Sequence, residues 1–285
     1  MYRSKTNWIL NDDGSIYHLH LKKDELSNCI ITVGDLQRVD HVAQYLDRIE
    51  TKKQNREFKT ITGYSGKQRI SVVSTGIGMD NVDIVLNEID YLFNWDGHSS
   101  DHGAQAETLQ FIRLGTSGAI QKDIPLDSLL ISETAFSLGG LPAFYPCPGI
   151  LLCPDDQSIG AAFQLPVYRT KADAALVRVF KTKEHLLGNT LTCEGFYAPQ
   201  GRSVRGMKST VLKSWESFSC NAGKLHNLEM ETAGIYGLSC YLGHKAVSIQ
   251  AILANRITGK FSNHPLKTID KMIQSCFDCL SSLGS

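Results

Sequence analysis

The chain predicts a single α/β domain on a largely parallel or mixed sheet. β-branched segments alternate with helical ones, the strands are apolar along their length, and no internal repeat or Pro/Ser-rich linker interrupts the 285 residues. Asn28-Cys-Ile-Ile-Thr-Val33 stops at Gly34, and Val39, Val42, Ala43 and Leu46 then recur at helical spacing, which reads as strand, glycine turn, helix. Residues 56–62 and 68–74 are extended runs about Tyr64-Ser-Gly66, a hairpin signal. Val82, Val85, Leu86 and Ile89 line one face of a helix for which Asp80 stands as N-cap. The polar, irregular stretch 94–108 reads as a surface insertion. Gln110–Leu114 and Ser128–Ser132 are strands separated by a glycine loop and the turn Asp123-Ile-Pro-Leu-Asp127. A helix near 172–181, a strand near 189–193, a helix at about 229–242, a strand at 245–254 and a helix from about 266 complete the alternation.

Composition narrows the class. Apolar residues make up 42% and charged residues 20%, enough for a sizeable core. Lys plus Arg and Asp plus Glu are balanced at 29 each, so no global field draws nucleic acid or an acidic membrane, and any anion must be held locally. No run has the length of a membrane span and Met1–Asp13 has no signal-peptide core, so a cytoplasmic location is expected. The eight cysteines are spread over long intervals and only Cys276 and Cys279 form a C-x-x-C pair. Reduced, structural thiols and no metal site are therefore expected.

Polar residues at strand ends are the candidates for chemistry, because ligands of such sheets bind at the carboxyl ends of strands. Gly34 and Asp35 follow the first strand, with Arg38 one turn along, an arrangement that lets an anion approach backbone amides; an ordinary turn with a solvated arginine is the alternative. Arg113 interrupts the apolar Phe111-Ile-Arg-Leu114 and is followed by Gly115-Thr116-Ser117-Gly118. Guanidinium, hydroxyl and amide donors together suit a tetrahedral oxyanion, unless Arg113 is buried in an ion pair with Glu57 or a similar acid. Glu229-Met230-Glu231 is read as opening the 229–242 helix. It offers either helix-end electrostatics or a carboxylate for vicinal hydroxyls beside a thioether that packs on a sugar ring.

Six segments in order, Tyr17-His18-Leu19, Val33-Gly-Asp-x-x-Arg38-Val39, Arg56-Glu-Phe58, Ser74-Thr-Gly-Ile-Gly78, Phe111-Ile-Arg-Leu-Gly-Thr-Ser-Gly118 and Glu229-Met-Glu-Thr-Ala233, resemble the nucleoside phosphorylase family, and within it the uridine phosphorylases. The resemblance covers nearly the whole chain and implies one three-layer α/β/α domain over 1–285 with a central mixed, mostly parallel sheet. It implies phosphate held by Gly34, Arg38, Arg113 and Thr116, with Arg56 reaching in from a neighbouring subunit. Ribose would meet Thr116, Glu229, Met230 and Glu231, and His18 of the neighbour would meet the 5′-hydroxyl. The partners so implied are a nucleoside, phosphate and further copies of the chain, as a dimer or hexamer.

Phe196-Tyr-Ala-Pro-Gln200-Gly-Arg202 resembles the segment that presents an aromatic ring, an amide and a guanidinium to a pyrimidine. Purine-cleaving relatives carry an aspartate where Asn255 stands, and asparagine cannot be that acid, so the resemblance leans to uridine, with Arg256 near O4. Arg113, Arg202 and Glu231 are the catalytic candidates. No cofactor is implied, phosphate being a co-substrate. Glu57 and Ile77 match a monovalent-cation site of the family but Asn81 replaces its serine, which argues against potassium. A purine or broad-specificity phosphorylase, a nucleosidase and a non-catalytic nucleoside-binding protein are the alternatives. Arg113→Ala is expected nearly to abolish phosphorolysis with the fold intact.

Overall fold

The computed structural model describes residues 8–95 and 106–281, so most of the 94–108 stretch lies outside the described residues. Among the described residues twelve strands and six α-helices follow one another as β1 (Cys29–Val33), α1 (Leu36–Ala43), β2 (Arg48–Asn55), β3 (Phe58–Ser65), β4 (Gln68–Ser74), α2 (Met79–Asn94), β5 (Gln110–Ala119) and β6 (Leu129–Leu138). They continue as β7 (Tyr168–Lys171), α3 (Ala174–Phe180), β8 (His185–Cys193), α4 (Val211–Ser217), β9 (Ser219–Cys220), β10 (Gly223–Glu229), α5 (Thr232–Tyr241), β11 (Lys245–Asn255), β12 (Lys260–Phe261) and α6 (Pro265–Ser281).

The sheet is mixed. β1 pairs in parallel with β4 and β5, and β11 runs parallel to β5 over its whole length. β3 and β4 form the expected hairpin, with Gly66 at positive φ in its turn, and β2 extends it into an antiparallel meander. Side chains alternate across it as a pleated strand requires: Ile31, Val72, Ile112 and Leu114 face α1, α3 and α6, while Ile30, Val73 and Phe111 face α2 and α5. Helices therefore cover both faces, each against its own apolar cluster.

One feature goes beyond the mixed sheet that the sequence predicts. β5 pairs β11, β11 pairs β6, β6 pairs β8, β8 pairs β10, and β10 returns to β5 through Asn227↔Ala119 and Leu228↔Gly118. The five strands close into a ring whose interior carries hydroxyls and amides. Ser132 Oγ meets Thr190 Oγ1 at 2.5 Å, Thr190 donates to Asn227 Oδ1 at 2.8 Å, and Asn227 Nδ2 donates to Ser117 Oγ at 2.8 Å. Buried polar atoms are tolerable because each finds a partner on the next strand.

Two boundaries correct the sequence reading. Glu229 ends β10 and Glu231 is the N-cap of α5, so the acidic pair sits at a strand-to-helix junction instead of inside the helix, the strand 223–229 having no apolar alternation to reveal it. Asp80 is not a cap: α2 begins at Met79 behind Gly78, whose φ of 99° suits only glycine, and Asp80 lies in the first turn. At α3, by contrast, the Asp173 side chain accepts from the amides of Ala175 and Leu176 at 3.0 and 2.9 Å. Asp173→Ala should cost about 1 kcal/mol in urea denaturation, with catalytic constants unchanged. Among the described residues no helix is long and apolar enough to cross a membrane.

Candidate active site

The junctions at the ends of β1, β5, β8 and β10 converge on one cavity of about 310 Å³. Gly34, Asp35 and Arg38 reach it from the β1–α1 turn, where Asp35 caps α1 by accepting from the Gln37 amide at 2.8 Å. Arg113, Thr116, Ser117 and Gly118 come from β5, Phe196, Gln200 and Arg202 from the segment after β8, and Glu229, Met230 and Glu231 from the β10–α5 junction. Leu228 and Leu253 add apolar wall that the sequence reading passed over, since neither stands out from its strand.

Arg113 is 3% exposed and held by two carboxylates. Its Nε donates to Glu229 Oε2 at 3.3 Å and its Nη2 pairs closely with Glu231 Oε2, while Nη1 is buried with no partner. The acids that meet it are thus Glu229 and Glu231, not Glu57. Burial works against the charged guanidinium, but Glu231 and Glu229 outweigh it and hold its pKa above the ordinary value. With two acids on one base, a negative charge is in excess, and burial together with Glu229 pushes the Glu231 carboxyl upward against the pull of Arg113. Arg38 supplies the second positive charge; burial first and Arg113 second lower its pKa.

The carboxylates are fixed by neighbours. Glu231 Oε1 accepts from the Gly78 amide at 2.7 Å, and Glu229 accepts from Thr192 Oγ1 at 2.6 Å and from the amides of Glu231 and Thr232. Thr192 was missed in the sequence; its place at the end of β8 is the signal that could have found it. Close approach is built in at Gly115, where a Cβ would lie 2.5 Å from Gln250 Oε1.

In the Phe196–Arg202 segment the guanidinium of Arg202 lies 3.8 Å over the Phe196 ring. It donates to Gln200 Oε1 and to the Phe196 carbonyl, both at 2.6 Å. Burial lowers the Arg202 pKa. Half of the Phe196 surface stays open, as a stacking platform needs.

Three predicted residues stand apart from this cavity. Arg256 does not line it; its Nη1 donates to the Gln200 carbonyl at 3.1 Å, which makes it a support for that segment. His18 Nδ1 lies 2.5 Å from Glu88 Oε1, and Arg56, at a φ of 54°, sits over the Tyr17 ring. Neither lines its own chain's cavity. Asn255 is spent structurally: Nδ2 donates to the carbonyls of Gln121 and Ile124, and Oδ1 accepts from the amides of Ile257 and Thr258. Asn81 Nδ2 donates to the Ile77 carbonyl at 3.3 Å, and among the described residues no cluster of His, Cys, Asp and Glu could hold a metal ion.

Arginine donors beside a glycine turn, paired carboxylates beside a thioether and an aromatic platform with an amide can together hold an anion, a polyol and a flat heterocycle. Comparison with known proteins agrees with that chemistry. The family model described as the phosphorylase superfamily matches residues 28–283. A uridine phosphorylase of Haemophilus influenzae is 27% identical over 264 residues, spanning 87% of this chain and 89% of that protein. A purine nucleoside phosphorylase, DeoD-type, of Alkaliphilus metalliredigens is 29% identical, spanning 85% of this chain and 88% of its own. The crystal structure of a Trypanosoma brucei nucleoside phosphorylase, described as showing uridine phosphorylase activity, superposes with a TM-score of 0.84 at 27% identity, covering 96% of this chain and 99% of that one.

Proposed function

The chain belongs to the phosphorylase superfamily, and from that premise we propose that it is a uridine phosphorylase, cleaving uridine with inorganic phosphate to uracil and ribose 1-phosphate. The observation that carries this reading is the single cavity in which Gly34, Arg38, Arg113 and Thr116 accompany Met230, Glu231, Gln200, Arg202 and Phe196. A phosphate oxygen attacks C1′ as the C1′–N1 bond breaks, and the bonding pair leaves with uracil. The protein forms no covalent intermediate; it positions and places charge. The unpartnered Arg113 Nη1 is a ready donor for the phosphate, and the Glu231 carboxylate accepts from ribose hydroxyls over Met230. Gln200, able both to donate and to accept, reads the O2 and N3–H edge of uracil, and Arg202 stabilises charge growing on its carbonyl.

Pyrimidine over purine is favoured because the Asn255 carboxamide is occupied on all sides and cannot protonate a purine N7. The same reading has His18 and Arg56 complete the cavity of a second copy, in a dimer that assembles into a hexamer. It also makes phosphate a co-substrate, requires no cofactor, and has the enzyme work in the cytoplasm in pyrimidine salvage.

The test is a panel of uridine, thymidine, inosine and adenosine with and without phosphate, followed by release of free base. Uridine cleavage strictly dependent on phosphate is expected. Cleavage without phosphate would make the protein a nucleosidase, inosine cleaved faster than uridine would overturn the pyrimidine assignment, and binding without turnover would sink the enzyme reading.

A further inference from the structure

Two cysteines 93 residues apart in sequence meet in the fold: Cys147 Sγ and Cys240 Sγ are 2.8 Å apart. Cys240 lies on the last turn of α5 and is exposed; Cys147 is half-buried in the loop that follows the short turn Leu141–Phe144. That loop is laid along α5 at several points. Leu141 and Ile150 sit against Gly234 and Gly237, and the Tyr145 ring meets Tyr241 edge-on at 5.2 Å. At Gly149 a Cβ would fall 2.4 Å from Cys240 Sγ, so the backbone passes close over this sulfur only because that residue is glycine. The two sulfurs are thus held within about 1 Å of bonding distance by packing on both sides of them.

We propose that Cys147 and Cys240 form a reversible disulfide that fastens the 139–151 strap to α5. The oxidant is a low-molecular-weight disulfide. The Cys147 thiolate attacks one of its sulfurs and releases the first small thiol; Cys240 then gives up its proton, attacks the Cys147 sulfur and expels the second. Two protein thiols become one disulfide and the small disulfide becomes two thiols, and excess thiol reverses the exchange. Burial first and Cys147 second push the Cys240 thiol up to about 11.

The bond joins two elements that each connect to the cavity wall without lining it. The strap begins where β6 ends, and its Gly140 amide donates to Glu194 Oε1 at 2.8 Å, two residues before the Phe196–Arg202 segment. The helix it would be tied to begins at Thr232, directly after Glu231.

The whole chain is incubated with oxidised glutathione, blocked with an alkylating reagent and mapped by non-reducing peptide mass spectrometry, with hydrogen exchange measured on the same samples. A Cys147–Cys240 cross-linked peptide is expected, released by excess thiol and absent in Cys147→Ser and Cys240→Ser. Amide exchange in 139–151 should be slower in the oxidised chain. Alkylation of both thiols after oxidation, separate glutathione adducts on each, or only interchain links would overturn the disulfide. A cross-link that leaves exchange unchanged would overturn its fastening role. The wild-type map stands whether or not either serine variant folds.

Discussion

Arg113→Ala should lower phosphate-dependent uridine cleavage by about 100- to 1000-fold, the loss typical of one donor aimed at a developing charge. It should also destabilise the fold, contrary to what the sequence suggests, because the guanidinium is the counter-ion of two buried acids. Leaving a buried charge uncompensated costs about 3–5 kcal/mol. The sign of the pH dependence follows from Glu231, whose pKa burial already raises and Arg113 holds back. A carboxyl raised in the folded state favours folding when protonated, and that contribution is lost as pH rises through the raised value. Removing Arg113 raises it further. The variant should therefore recover stability relative to wild type as pH falls through the raised pKa of Glu231. Urea denaturation as a function of pH checks this, and a deficit that stays constant with pH would refute the Arg113–Glu231 coupling. Turnover is assayed at a temperature where the variant remains folded; wild-type activity there would remove Arg113 from the phosphate site.

Arg202→Ala should reduce kcat for uridine about 100-fold with a much smaller change in KM, since its role grows as negative charge develops on the departing base. The substitution also frees the Gln200 carboxamide, which Arg202 holds, and strips the guanidinium from the Phe196 face. Arg202→Lys keeps the charge but not the two-pronged hold on Gln200 Oε1 and the Phe196 carbonyl, so it should recover only part of the loss. A KM increase with unchanged kcat would mean that Arg202 only binds.

Much of this was legible in the sequence because it is local. Glycine after a β-branched run marks the β1–α1 turn, and an arginine inside Phe111–Leu114 announces a buried charge with an anionic partner. The identity of that partner was not legible: Glu229 and Glu231 are 116 and 118 residues away, and nothing near Arg113 points to them. The closed ring was hidden for a related reason. Its inward positions, among them Ser132, Thr190 and Asn227, are polar, which erases the apolar alternation that betrays a buried strand. Arg256, whose sequence neighbourhood suggested a place near the base, donates from Nη1 to the Gln200 carbonyl and so supports the segment that carries Gln200 and Arg202.

The cavity wall is assembled from residues as early as Gly34 and as late as Leu253. During synthesis the basic part, with Arg38 and Arg113, leaves the ribosome before the acids that neutralise it, and β5 waits for both β10 and β11 before its ring can close. A nascent or truncated chain ending before residue 229 therefore has Arg38 and Arg113 but neither carboxylate that pairs with Arg113. Its competence to bind a nucleoside arrives late and together with the completed fold.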